Sequence, residues 1–107
     1  MTKQNLVFFP NSDTISEYYE YYNDILIITE HYFPNGEVKY EKTPLNEVSY
    51  NAQGYIEGQY KEWHNNGQLW IECSYNANGN REGQYKSWYP DGKLYVEYTY
   101  KNGKMII

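Results

Sequence analysis

Four glutamates recur at matching places along the chain, Glu17, Glu41, Glu72 and Glu97. Carboxylates at regular intervals can bind cations, meet a basic partner, or work in pairs as acid and base. On successive hairpins they stand two strand spacings apart, on the order of 10 Å. That is wide for a metal site and too regular for a pair of groups serving one bond. Solvated glutamates on a strand face, paired with Lys61 or Lys86, account for them more simply. His31 and His64 are the only histidines and occupy non-equivalent repeat positions. The partners needed for metal ligation or general-base work are missing around them, so each is expected to fill an aromatic slot. Cys73, the single cysteine, excludes an intrachain disulfide and a Cys-based zinc finger. Its place on the apolar side of a strand suits a small buried hydrophobe better than a nucleophile. Gly54, Gly58, Gly79 and Gly83 stand at strand boundaries and form no phosphate cradle. No catalytic residue, metal or cofactor is expected, and the chain reads as a non-enzyme.

Aromatic residues are the stronger candidates. The hydrophobic fraction is 40% and half of it is aromatic, with 15 Tyr against 3 Trp and 3 Phe. Tyr buries a ring while keeping its hydroxyl in water, so side chains rich in it lie half wet. Rings recur at 60 and 85, 63 and 88, 70 and 95, and 75 and 100. Exposed aromatic patches mark interfaces, and Tyr and Trp dominate their hot spots. The expected interaction surface is therefore Tyr60, Trp63, Trp70, Tyr85, Trp88 and Tyr95, with Glu72 and Glu97 between them. The net charge of −5 disfavours nucleic acid and anionic membrane lipid as partners. It suits a basic protein partner by steering, though a solubilising charge is the simpler account. The aromatic rows are what suit another protein or a second copy of the chain. The apolar run Leu6 to Pro10 is too short for a signal peptide, and Ile25 to Ile28 is the longest aliphatic stretch. A cytoplasmic location is expected.

The elements that must hold these residues are written as a repeat. Gly58 to Leu69 returns as Gly83 to Leu94, and Ser49 to Gly54 returns as Ser74 to Gly79, both at a shift of 25. Such a period means one supersecondary unit stacked on itself. Earlier turns extend it, with anchors at Ser12, Gly36, Gly67 and Gly92. An aromatic residue (Phe8, Tyr32, Trp63, Trp88) stands four before each anchor and a glutamate five after it. One domain, 1–107, is expected, with units near 1–24, 25–54, 55–79 and 80–107 and extra chain at 42–46. Within a unit Leu69, Ile71, Cys73 and Tyr75 alternate with Trp70, Glu72 and Ser74, the period of a strand. Strands are expected near 3–9, 14–22, 25–33, 38–43, 47–50, 55–64, 69–76, 82–89, 94–101 and 104–107. For 14–22 a helical turn competes, and tyrosine propensity decides for strand.

Pro-Asn-Gly and Pro-Asp-Gly fit a three-residue hairpin loop with Gly in the left-handed region. That loop sets Trp63 opposite Leu69 and Trp88 opposite Leu94, whereas a two-residue turn would pair Trp63 with Trp70 and Lys61 with Glu72. With the favoured three-residue loop, Trp63, Trp88, Leu69, Leu94, Ile71 and Val96 line one face. Tyr60, Tyr85, Trp70, Tyr95, Glu72 and Glu97 line the other. The fold expected is all-β, a single-layer twisted antiparallel meander of about four tandem hairpin repeats.

The pattern Gly-x-Tyr-x-x-Trp-x-x-Asn/Asp-Gly-x-Leu, followed by Tyr-x-x-x-Gly, resembles the variant MORN repeat. The resemblance covers Ile56 to Lys104 well, Ile25 to Gly54 less closely, and the first 24 residues faintly. It implies an elongated β-meander that makes protein–protein contacts or associates with itself, and it extends to bacterial antitoxin components of the YwqK type. Lipid binding, also credited to such arrays, calls for more basic residues than this acidic chain carries. A non-catalytic interaction module with an aromatic Tyr/Trp face is expected. The alternative is an acidic, antitoxin-like inhibitor of a basic toxin or nuclease.

Overall fold

The computed structural model describes residues 1–106. Ten strands form one sheet whose spatial order is the order of the sequence: β1 (Thr2–Phe8), β2 (Ile15–Tyr22), β3 (Ile25–Tyr32), β4 (Val38–Lys42), β5 (Asn46–Ser49), β6 (Gly58–Trp63), β7 (Leu69–Tyr75), β8 (Gly83–Trp88), β9 (Leu94–Lys101) and β10 (Lys104–Ile106). Every pairing is antiparallel, and strands touch only their sequence neighbours. No helix occurs among the described residues. The molecule is a slab of 51 × 33 × 12 Å, about the thickness of one sheet with its side chains. The meander expected from the repeat is the fold observed. The end of the expected last strand, residue 107, lies outside the described residues.

The turns show why this sequence makes hairpins. Gly67 donates its N–H to the His64 carbonyl at 3.0 Å and His64 donates to Gln68 at 2.9 Å, enclosing a three-residue loop. The same bonds close Pro34 to Gly36 and Pro90 to Gly92. The glycines take φ near +90° (90, 88 and 91° at Gly36, Gly67 and Gly92), a region that residues with a Cβ avoid. Just before each glycine, the Asn or Asp side chain accepts the N–H two residues on: Asn35 from Glu37, Asn66 from Gln68, Asp91 from Lys93, each at 2.9 Å. This is the local bond for which Asn and Asp favour turns. Ser12 does not belong to the series. Asn11 carries the positive φ there, and the loop closes from Phe9 to Thr14.

A second irregularity corrects the facing expected from simple alternation. Trp63 pairs with Leu69, yet Glu62 pairs with Ile71 and Lys61 with Glu72, so Trp70 is an extra residue in β7. Tyr95 is likewise extra in β9. The Trp63–Leu69 pair of the three-residue loop therefore coexists with the Lys61–Glu72 pair of the two-residue turn, while Trp63 does not pair with Trp70, because a bulge inserts one residue and reverses the facing beyond it. Residues directly opposite share a face. Ile71 and Val96 thus lie with Tyr60 and Tyr85, while Glu72 and Glu97 lie with Trp63 and Trp88, the reverse of the expected assignment.

The extra chain near 42–46 is a turn, Thr43 to Leu45, which gives β5 a place between β4 and β6. Its consequence is large. Pairing β4 to β5 and β5 to β6 puts Lys42, Glu47 and Lys61 on one face. Tyr32 and Glu41 then fall on the opposite face from Trp63 and Glu72, their counterparts in the next hairpin. The only residues buried among those described are Val48 (3%), Cys73 (2%) and Ser87 (6%). All three lie on the Tyr60 side, here termed the covered face. A slab with so little interior is held by its ladders and by cross-strand pairs, worth roughly 0.2–1 kcal/mol each. Asn51 and Asn66 add bonds between hairpins, donating to the carbonyls of Ala77 (2.8 Å) and Pro90 (2.7 Å).

Candidate functional site

On the covered face the rings roof the small residues. Tyr60 meets Tyr75 edge-on at 6.0 Å, and Tyr85 stacks on Tyr98 at 6.4 Å. The Arg81 guanidinium lies over the rings of Tyr85 and Tyr100, 4.7 and 5.4 Å from their centroids. Cation–π contacts of this kind are worth about 0.5–2 kcal/mol. Beneath them burial pushes the Cys73 thiol up, away from the thiolate, so it is a packed hydrophobe as its strand position suggests. The Tyr60 hydroxyl donates to Glu62, and burial together with that carboxylate raises its pKa. On the other face Tyr40 donates to Glu47, and burial with the same kind of bond pushes its pKa up to about 12. These tyrosines are protonated donors at neutral pH.

The bulge residues project differently. Trp70 is 41% exposed and stacks on His64 with centroids 5.2 Å apart. One repeat later Tyr95, 59% exposed, meets Tyr89 at 5.0 Å. His64 is fixed in place by its Nε2, 2.8 Å from the Trp88 carbonyl. His64 therefore fills an aromatic slot, as does His31 between Tyr19 (6.3 Å) and Tyr40 (5.4 Å). A shallow hollow of about 340 Å³ runs beside Trp70, lined also by Leu45, Asn46 and Glu62. Trp63 itself sits on the opposite side and takes the Lys42 ammonium over its ring at 4.2 Å.

The expected surface is thus divided. Tyr60, Trp70, Tyr85 and Tyr95 are brought together on the covered face; Trp63, Trp88, Glu72 and Glu97 on the other. On that second face the register lines up Lys42, Glu47, Lys61, Glu72, Lys86 and Glu97, each directly opposite the next, across β4 to β9. Lys61 Nζ is 3.7 Å from Glu72. The position 25 before Glu72 in this ladder is Glu47, not Glu41. Counting from the turn glycines missed it because β5 intervenes, whereas the repeated Tyr50 and Tyr75 point to it. Arg81 was missed because the earlier repeat has Ile56 in its place.

Among the described residues no group of three or more His, Cys, Asp or Glu side chains is placed to hold a metal ion. No helix there is long and apolar enough to cross a membrane. A family model described as "MORN repeat variant" matches residues 27–43, 56–77 and 81–102. No curated protein matches the chain.

Proposed function

The chain belongs to the MORN repeat variant family, and from that premise we propose that it is a non-catalytic module that binds another protein through the exposed rings of its covered face. MORN repeats are generally protein- or membrane-interaction modules, and the family is typically non-catalytic. The observation that carries the proposal is the repeated ring pair, Trp70 on His64 and Tyr95 against Tyr89. Each pair is rigidified by its neighbour yet left open at the surface, which lowers the entropy lost when a partner covers it. The strand rows offer a partner aromatic anchors at a fixed pitch, and Tyr98, on the same strand as Tyr95, is itself 38% exposed. An acidic inhibitor of a basic toxin draws less support, because Glu72 and Glu97 already face lysines.

Cross-linking in the producing cell, with mass spectrometry of the adducts, tests the proposal. Wild-type protein is expected to yield a protein adduct that the Trp70→Ser/Tyr95→Ser variant loses by about tenfold or more, the scale of a hot-spot pair. An adduct unchanged by that variant would move the binding site elsewhere.

A further inference from the structure

The six-residue ladder alternates in sign: positive at Lys42, Lys61 and Lys86, negative at Glu47, Glu72 and Glu97. A row of even length that starts positive and ends negative is complementary to its own reverse. Turn a second copy over about a two-fold axis parallel to the strands, passing between β6 and β7. Lys42 then lies over Glu97 of the copy, Glu47 over Lys86, and Lys61 over Glu72, and each contact occurs twice. A two-fold axis across the strands would instead set every charge over its like. From this geometry we infer that the ladder face is the interface of a homodimer, with a second copy of this chain in that one orientation.

Three further observations fit a second copy. The ladder is open to a partner: the Lys61 and Glu72 side chains are 33% and 37% exposed, and Lys42 and Glu97 at its ends are exposed. With five spacings of about 4.8 Å it is roughly 24 Å long. Multiplied by the 33 Å second dimension of the slab, it offers roughly 800 Å² per copy, the size of a standard interface. Beside it run Trp63 and Leu69, paired with each other, and the same axis lays Trp63 of one copy over Leu69 of the other. Aligned sheets pack within about 30° of each other, so rows near the axis stay in register. Each ion then has opposite charges beside it in its own sheet and above it in the partner. The inference concerns the face opposite the one proposed for the protein partner and does not depend on that proposal.

The test uses two charge reversals on the full chain. Residues 42 and 97 lie on β4 and β9, five strands apart, so neither can compensate for the other within one molecule. Lys42→Glu places like charges over both ends of its homodimer, and Glu97→Lys does the same with the opposite sign. In sedimentation velocity each variant alone is expected to dimerise at least about tenfold more weakly than wild type, since like charges across an interface repel. An equimolar mixture restores complementarity at both ends, so a heterodimer is expected with wild-type affinity to within about threefold. Near-ultraviolet circular dichroism of the tryptophans establishes that both variants are folded. Wild-type dimerisation is expected to weaken between about 50 mM and about 0.5 M NaCl, as screened charges require. A wild-type monomer at millimolar concentration in low salt overturns the inference. So does a dimer unaffected by either reversal, or a mixture of folded variants no tighter than its components.

Discussion

At the scale of single residues the protein uses tyrosine hydroxyls as fixed donors to carboxylates. Tyr40 on Glu47, Tyr60 on Glu62 and Tyr18 on Glu20 repeat the arrangement in three strands. Burial disfavours the phenolate of Tyr40 and Tyr60, and the carboxylate beside each ring adds to it, while for Tyr18 the bond to Glu20 leads; the folded-state pKa values of all three rise. A raised value means that the folded protein keeps its proton where the unfolded chain has lost it. The contribution of Tyr40 is therefore complete below pH 10 and is lost as the pH climbs toward about 12. Urea denaturation at a series of alkaline pH values is expected to show stability falling through that window. Tyr40→Phe should make the fall shallower while costing about 0.5–1.5 kcal/mol at neutral pH, the worth of a hydrogen bond. An unchanged pH profile in Tyr40→Phe would mean that other groups govern the alkaline transition.

At the scale of the element, one hairpin has been varied. Where the third hairpin sets Lys61 against Glu72, the second sets Glu30 against Glu41. Burial and the facing Glu41 raise the pKa of Glu30, so the pair is least favourable when both carboxylates are ionised. Glu30→Lys is expected to stabilise the protein by about 0.5–1 kcal/mol at neutral pH. That gain should shrink as the pH falls and wild-type Glu30, whose pKa is raised, takes up its proton and relieves the repulsion; thermal melts at pH 7 and pH 4 would check both halves. The turn between paired strands is less forgiving. Gly92→Ala forces a Cβ into the left-handed region at φ 91° and is expected to cost about 1–2 kcal/mol by denaturation. Strands and turns were legible in the sequence because each rests on local chemistry: alternation for the strand, Asx-Gly for the loop. The faces were not, since the bulges at Trp70 and Tyr95 leave no local mark apart from an aromatic residue that fits either side. Nor does Thr43 to Leu45 reveal that it turns a full strand and so transposes Tyr32 relative to Trp63. The surface residues named from sequence are present, but the two sides of the sheet share them.

At the scale of the whole molecule, a sheet with both faces open has no second layer to close over its rings. Stability spreads along a row of nearest-neighbour contacts, as in other repeat arrays, and the two proposed interfaces would cover rings that an interior would hold in a globule. Shape is the most direct test of that account. A compact domain of this length would have a radius of gyration of about 13 Å; the slab has 16.3 Å over its Cα atoms. Small-angle X-ray scattering in high salt at low concentration, where any charge-mediated pairing is suppressed, is expected to give a value of about 16 Å or slightly more, with the profile of a flat particle. A radius near 13 Å with an isotropic profile would contradict the open single layer, and with it both binding faces.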